Sequence, residues 1–236
     1  MKVFFVHIKT LIALVLVAVV TTLICVGIVH YKRAVQASKN GYVIVIDPGH
    51  GGSDGGVVSG IKKVKESEIN LYVSKILANM LSRKGYTVKL TRTSDVGLYD
   101  VGASNKKLSD MQKRKEIINN AKPDLVISIH QNYFASSAVH GAHVFYSDKQ
   151  EKSEAYAKIF QQELNVTLGQ NKEYKKADYY VLQCSSYPSL LIECGFLSNP
   201  TDESNLLKPS YRERIADIIA KSVDKVFFSE TGSGIM

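Results

Sequence analysis

The chain has 236 residues, 45% of them hydrophobic and 22% charged, which suits one domain of roughly 100 to 200 residues with its own core plus an appendage. Its formal charge of +8 invites a nucleic-acid reading, but the first 40 residues hold Lys2, Lys9, Lys32, Arg33 and Lys39 and no acid, leaving 25 basic against 22 acidic residues elsewhere. That balance, without a basic stripe interleaved with aromatics, argues against nucleic acid as a partner.

Residues 10–31 carry no charge, and Leu11 to Val20 is almost purely aliphatic. This reaches the roughly 20 residues a helix needs to cross about 30 Å of hydrocarbon, so residues 1–33 are expected to form an uncleaved membrane anchor. Val35-Gln36-Ala37 resembles a small-residue cleavage site. A cleavable signal and a secreted domain are therefore the competing reading, but the apolar stretch exceeds the roughly 7 to 15 residues usual in such signals. Residues 34–41 read as a short tether, 42–228 as a single globular domain, and 229–236 as a flexible tail.

The domain opens with the apolar run Val43-Ile44-Val45-Ile46, and two more follow at Leu125-Val126-Ile127-Ser128-Ile129 and Leu190-Leu191-Ile192. Continuous runs instead of alternation predict strands covered on both faces, as in a parallel sheet between helices. Between the first two, residues 66–84 place Ile69, Val73, Ile76, Leu77 and Met80 at helical spacing, with Gly85 as the C-terminal cap. Thr87 to Thr91 reads as a strand. Ser109 with Gln112 offers a capping box for a helix to about Asn120, closed by Pro123. Ala142 to Tyr146 and Tyr179 to Gln183 read as further strands, and 151–168 and 210–227 as helices. The expected fold is α/β: a mostly parallel mixed sheet sandwiched by helices, in one domain behind an N-terminal transmembrane helix. Cys184 and Cys194 lack any metal-finger spacing and read as small buried hydrophobes, a bridge between them being the alternative.

Ligand crevices in open α/β sheets lie beyond the carboxyl ends of the strands. There the three runs end in Asp47-Pro48-Gly49-His50-Gly51-Gly52, in His130-Gln131-Asn132 and in Glu193. The first loop lacks the Gly-Lys-Ser/Thr ending of a phosphate loop and carries Asp47 and Asp54, which would repel pyrophosphate. Its glycines are better understood as letting the backbone turn so that His50 faces the crevice. Helical phase, at about 100° per residue, puts Glu66 inside the arc of buried positions and Glu68 outside it. A carboxylate on a buried stripe is costly unless paired or bound to a cation. His50, Glu66 and His130 thus make a two-histidine, one-carboxylate set that suits catalytic zinc with a position left for water. Glu193 is then the best placed acid to act as general base. The bland alternatives are satisfied core histidines, and a salt bridge from Glu193 to Arg92 or Arg114.

The segments IDPGHGGSDGG at 46–56, ESEINL at 66–71, LTR at 90–92, SIHQN at 128–132 and LLIECGFLSN at 190–199 resemble the zinc-dependent N-acetylmuramoyl-L-alanine amidases of the amidase-3 type, in order and across the whole domain. The resemblance implies one zinc ion on His50, Glu66 and His130, Glu193 as the catalytic acid/base, and cleavage of the amide between N-acetylmuramic acid and L-alanine in peptidoglycan. Short length, a single anchor and no wall-binding module look like the germination-specific (CwlD-like) amidases of endospore formers. Those strip peptides from muramic acid in spore cortex, so that a separate deacetylase can allow muramic δ-lactam to form. Such a likeness implies an extracytoplasmic domain at the forespore envelope; with no wall-binding repeat and no obvious inhibitory insert in the sequence, a partner protein on the same membrane surface is the expected source of targeting or activation. His143, where many relatives carry an acid, is a candidate stray metal contact, and Lys175 and Lys176 replace an arginine that some relatives have. The rival functions are another zinc amide hydrolase of the envelope, such as a peptidase or deacetylase, and a non-catalytic wall-binding scaffold.

Overall fold

In the computed structural model, which describes residues 2–37 and 41–232, the apolar runs form strands whose successive side chains go to opposite faces of one sheet. The elements are α1 (Lys2–Ala37), β1 (Val43–Pro48), α2 (Glu66–Arg83), β2 (Thr87–Leu90), α3 (Lys106–Ala121), β3 (Leu125–Asn132), β4 (His143–Tyr146), α4 (Ser153–Leu168), β5 (Lys175–Lys176), α5 (Tyr180–Gln183), β6 (Ser189–Phe196), α6 (Pro200–Leu206) and α7 (Pro209–Gly232). The sheet order is β2-β1-β3-β6-β4-β5. From β2 to β6 neighbours run parallel, β4 is antiparallel to β6, and β5 is parallel to β4.

Alternate residues of the central strands divide between two cores. Ile44, Ile46, Ile127, Ile129, Leu190 and Ile192 join the larger one with α2, α4 and α7, whereas Val45, Val126 and Leu191 face Ile118 of α3 and Val181 and Leu182 of α5. Burial on both faces explains the unbroken apolar runs. α2 stops as its glycine suggests: Gly85, at φ 90°, and Tyr86 donate their N–H groups to the carbonyls of Ser82 and Leu81, a Schellman closure that a residue with a Cβ would strain.

Some elements differ from the sequence expectation. Residues 179–183 are not a strand, because consecutive Val181 and Leu182 are both buried and Tyr180–Gln183 forms a helical turn. The strand position beside β4 is taken instead by Lys175–Lys176. α3 begins four residues early, since its cap is Asn105, which accepts from the Leu108 N–H, and not Ser109, which turns inward to Asp100. α6 was not anticipated, although Asn199-Pro200 is a capping signal and Asn199 accepts from the Thr201 and Asp202 N–H groups. α7 runs on to Gly232; residues 38–40 of the tether and 233–236 of the tail lie outside the described residues. Cys184 and Cys194 are free thiols, pushed up by burial to about 11 and about 12 respectively. Within α1, Thr10–Gly27 has a mean hydropathy of 2.7 with none of the window buried, long and apolar enough to cross a membrane.

Candidate metal centre and active site

His50 comes from the loop after β1, His130 from β3 and Glu193 from β6. His130 and Glu193 are register partners on adjacent parallel strands. Both share the strand parity of Val126 and Leu191, so their side chains rise on the α3 and α5 face of the sheet. Glu66 arrives from the other layer as the first residue of α2, with 2% of its surface exposed. Helical phase had selected it over Glu68, which is exposed.

These side chains converge. His50 Nε2 lies 3.3 Å from Glu66 Oε2, His130 Nδ1 lies 3.0 Å from Glu66 Oε1, and the donor atoms of all three residues fall within 4.8 Å of one another. The buried carboxylate also accepts from the Gln131 and Val57 N–H groups and from Asn70 Nδ2. Burial alone would raise its pKa, but the two histidines outweigh it and hold Glu66 well below the usual carboxylate range. For His50, burial likewise opposes charge and loses, Glu66 and then Asp54 lifting the imidazole to about 9. Asp54 Oδ2, 3.0 Å from His50 Nδ1, orients the ring so that Nε2 turns toward Glu66, as outer-shell carboxylates do for metal-ligating histidines. Two imidazoles and one carboxylate with a converging aim form the donor set of a catalytic zinc site, so the residues fit that ion.

The glycines of the first loop make room for the donors. A Cβ at Gly49 would stand 2.2 Å from His130 Cε1 and Nε2, and one at Gly56, at φ +64°, would stand 2.4 Å from Glu66 Oε2. His50 itself takes φ 60°, a left-handed conformation uncommon for a residue with a side chain. The loop is held there from below. Arg114 donates to the Pro48 and His50 carbonyls, and Arg92 to those of Pro48, Gly49 and Ser67. Arg114 is balanced by Asp47 at 2.5 Å and Asp110 at 2.6 Å. Asp47 also accepts from Thr91 and Ser128.

Both arginines are therefore occupied, and neither pairs with Glu193. Glu193 is buried, and its Oε2 has no hydrogen-bond partner. Desolvation is the main influence on its acidity; the two histidines pull it down and Glu66 pushes it up, for a result of about 7. Such a group, poised near neutrality in a cavity of 790 Å3 that His50, Glu66 and His130 also line, has the chemistry of a general base. His143 stands apart from the donor cluster. Although in register with Glu193 across β4 and β6, it directs Nε2 to the Glu173 carbonyl at 2.5 Å.

Asn70, Gln131, Asp54 and the two clamping arginines were not singled out from the sequence as members of the site. Arg114 had a signal: it stands four residues before Ile118 on the buried side of α3, the same phase argument that found Glu66.

The amidase-3 family, N-acetylmuramoyl-L-alanine amidase, matches residues 44–225. The chain belongs to this family. Among its relatives, the germination-specific N-acetylmuramoyl-L-alanine amidase of Bacillus subtilis is 37% identical over 198 residues, 82% of each chain. The probable cell wall amidase LytH of Staphylococcus saprophyticus is 32% identical over 211 residues, 85% of this chain and 66% of the relative. Among solved structures, the CwlD amidase of Clostridioides difficile, determined in complex with the GerS lipoprotein, superposes with a TM-score of 0.75 at 35% identity, covering 80% of this chain and 98% of that one. The amidase family's matched span begins within β1 and ends in α7, so it includes each of His50, Glu66, His130 and Glu193.

Proposed function

We propose that this amidase cuts the bond between N-acetylmuramic acid and L-alanine with one zinc ion held by His50, Glu66 and His130 and with Glu193 as general base. The observation that carries this reading is Glu193 Oε2, a buried carboxyl oxygen without a partner in the cavity where the three metal-type donors converge. A bound zinc ion supplies Lewis acidity toward the scissile carbonyl and lowers the pKa of water. Glu193 takes the proton from the attacking water and returns it to the departing amine, for which a pKa near neutrality suits both transfers. Asp54 and the arginine clamps keep His50 aimed, and Asn70 and the Gln131 N–H keep the Glu66 carboxylate from rotating.

The relationship to germination-specific amidases supports action on spore cortex peptidoglycan, as a step toward muramic δ-lactam. The apolar helix α1 supports a domain of residues 42–228 held outside a membrane by an N-terminal anchor. The CwlD amidase solved with a lipoprotein supports a partner of that kind on the same membrane surface. Elemental analysis of the purified chain followed by mass spectrometry of digested sacculi tests metal and bond together. The expected result is about one zinc per chain and new L-alanine amino termini. Cleavage elsewhere in the stem peptide, or loss of acetyl groups, would replace this reading with a zinc peptidase or deacetylase.

A further inference from the structure

Two neutral amides lie buried behind the Glu66 carboxylate. The pairing of β3 with β6 shifts register between His130 and Asn132, and Gln131, at that irregularity, gives its N–H to Glu66 Oε1 at 3.0 Å. Its side chain, 2% exposed, donates from Nε2 to Asn70 Oδ1 at 3.2 Å. Asn70, fully buried one turn after Glu66 on α2, donates from Nδ2 to Glu66 Oε1 at 3.2 Å and to the Gly49 carbonyl at 3.1 Å. Cys194, also fully buried, sets its thiol against the Gln131 amide.

The acceptors decide how both amides are turned. An ionised Glu66 and the Gly49 carbonyl can only accept, so the Asn70 nitrogen must face them and its oxygen must face Gln131. Gln131 must then offer its nitrogen, which leaves its Oε1 buried with no hydrogen-bond partner. An orphaned buried acceptor is costly, so the use of this glutamine is to be sought in what it holds and not in net stability. What it holds is an amide on a soft torsion. The terminal sp3–sp2 torsions of Asn and Glu side chains are broad. Without Gln131, the Asn70 amide would turn between its donor and acceptor edges, and Glu66 would lose a donor that sets the plane of its carboxylate.

We propose that the Gln131 side chain is a positioning residue of the metal centre: it locks the Asn70 amide, and through it the plane of the Glu66 carboxylate. The inference rests on the zinc reading of His50, Glu66 and His130, and adds a side chain that reaches Glu66 only through another. Its test uses the full chain in detergent. Zinc affinity is measured by competition with a chromophoric chelator, and the Tm of the zinc-free chain is measured beside it. Q131L should weaken zinc binding about tenfold or more. Its zinc-free Tm should stay within about 3 °C of wild type, because one unpaired acceptor, Gln131 Oε1, gives way to another, Asn70 Oδ1. N70A should weaken zinc binding as well, and Q131L/N70A should bind zinc no more weakly than N70A alone, as two residues acting in series require. Q131M covers the case in which Q131L does not fold. Zinc affinity within about twofold of wild type, losses that multiply in the double variant, or a loss that comes with a fall in Tm of about 10 °C would overturn the role of Gln131 while leaving the zinc site standing. A wild-type chain that bound no zinc would overturn both.

Discussion

Glu193 and His50 owe their properties to opposite balances of the same terms. Around Glu193 desolvation prevails and the proton is held up to about pH 7; around His50 two carboxylates prevail over desolvation and the proton is held up to about pH 9. Replacing Glu193 by Ala should leave metal binding intact while turnover falls by about 10² or more, measured as amine release beside metal content; unchanged turnover would remove it from the mechanism. His50 must give up its proton to bind a metal. Zinc uptake at pH 7 should therefore release close to one proton, and apparent affinity should fall about tenfold for each unit of pH below that. Calorimetry in buffers of different ionisation enthalpy counts the protons, and a count of zero would contradict the electrostatic picture.

At the scale of elements, the site depends on a loop that its own bridge between Gly51 and Asp54 shapes and that other elements fasten from outside. The turn from Gly49 to Gly56 is fastened by α3 through Arg114 and by the segment after β2 through Arg92. Substituting Arg114 by Met leaves Asp47 buried without its counter-charge, which costs about 3–5 kcal/mol and should lower Tm on the order of 10 °C. Thermal unfolding near pH 7 reads this, because the arginine and its hydrogen-bond partners hold the Asp47 pKa below its usual value despite burial. That contribution is complete above pH 4 and is lost as pH falls through the lowered pKa. A Tm within about 2 °C of wild type would show the pair to be dispensable. The elements that sequence reasoning anticipated are those with a strong period, such as α2 and the three buried strands. It missed α5 and misplaced the start of α3, where a few side chains decide: a pair of adjacent buried residues in one case, an Asn cap in the other.

For the molecule as a whole, charge and hydropathy separate into two parts. The basic excess and the apolar window sit in the leader, and the sheet domain that follows is nearly balanced. A chain lacking residues 1–40 should fold and cleave soluble muropeptides at the full-length rate, but should no longer sediment with membranes. Continued sedimentation would mean that the domain itself carries a membrane-binding face.

Local chemistry in the chain was enough for much of this. Hydrophobic periodicity encodes which segments cross the core, and a strand that ends in His or Glu encodes what is presented at the crevice. By the same token, a carboxylate in helical phase with Ile69 and Val73 announces that Glu66 points inward. Only the folded chain decided that Asp54 turns the His50 ring, that Gly49 leaves space for His130, and that Arg114 neutralises Asp47 from 67 residues away. The last two join segments whose spacing follows no period, so they exist only once the sheet has closed the distance between them, whereas Asp54, four residues from His50, meets its ring through the turn that His50 makes at φ 60°.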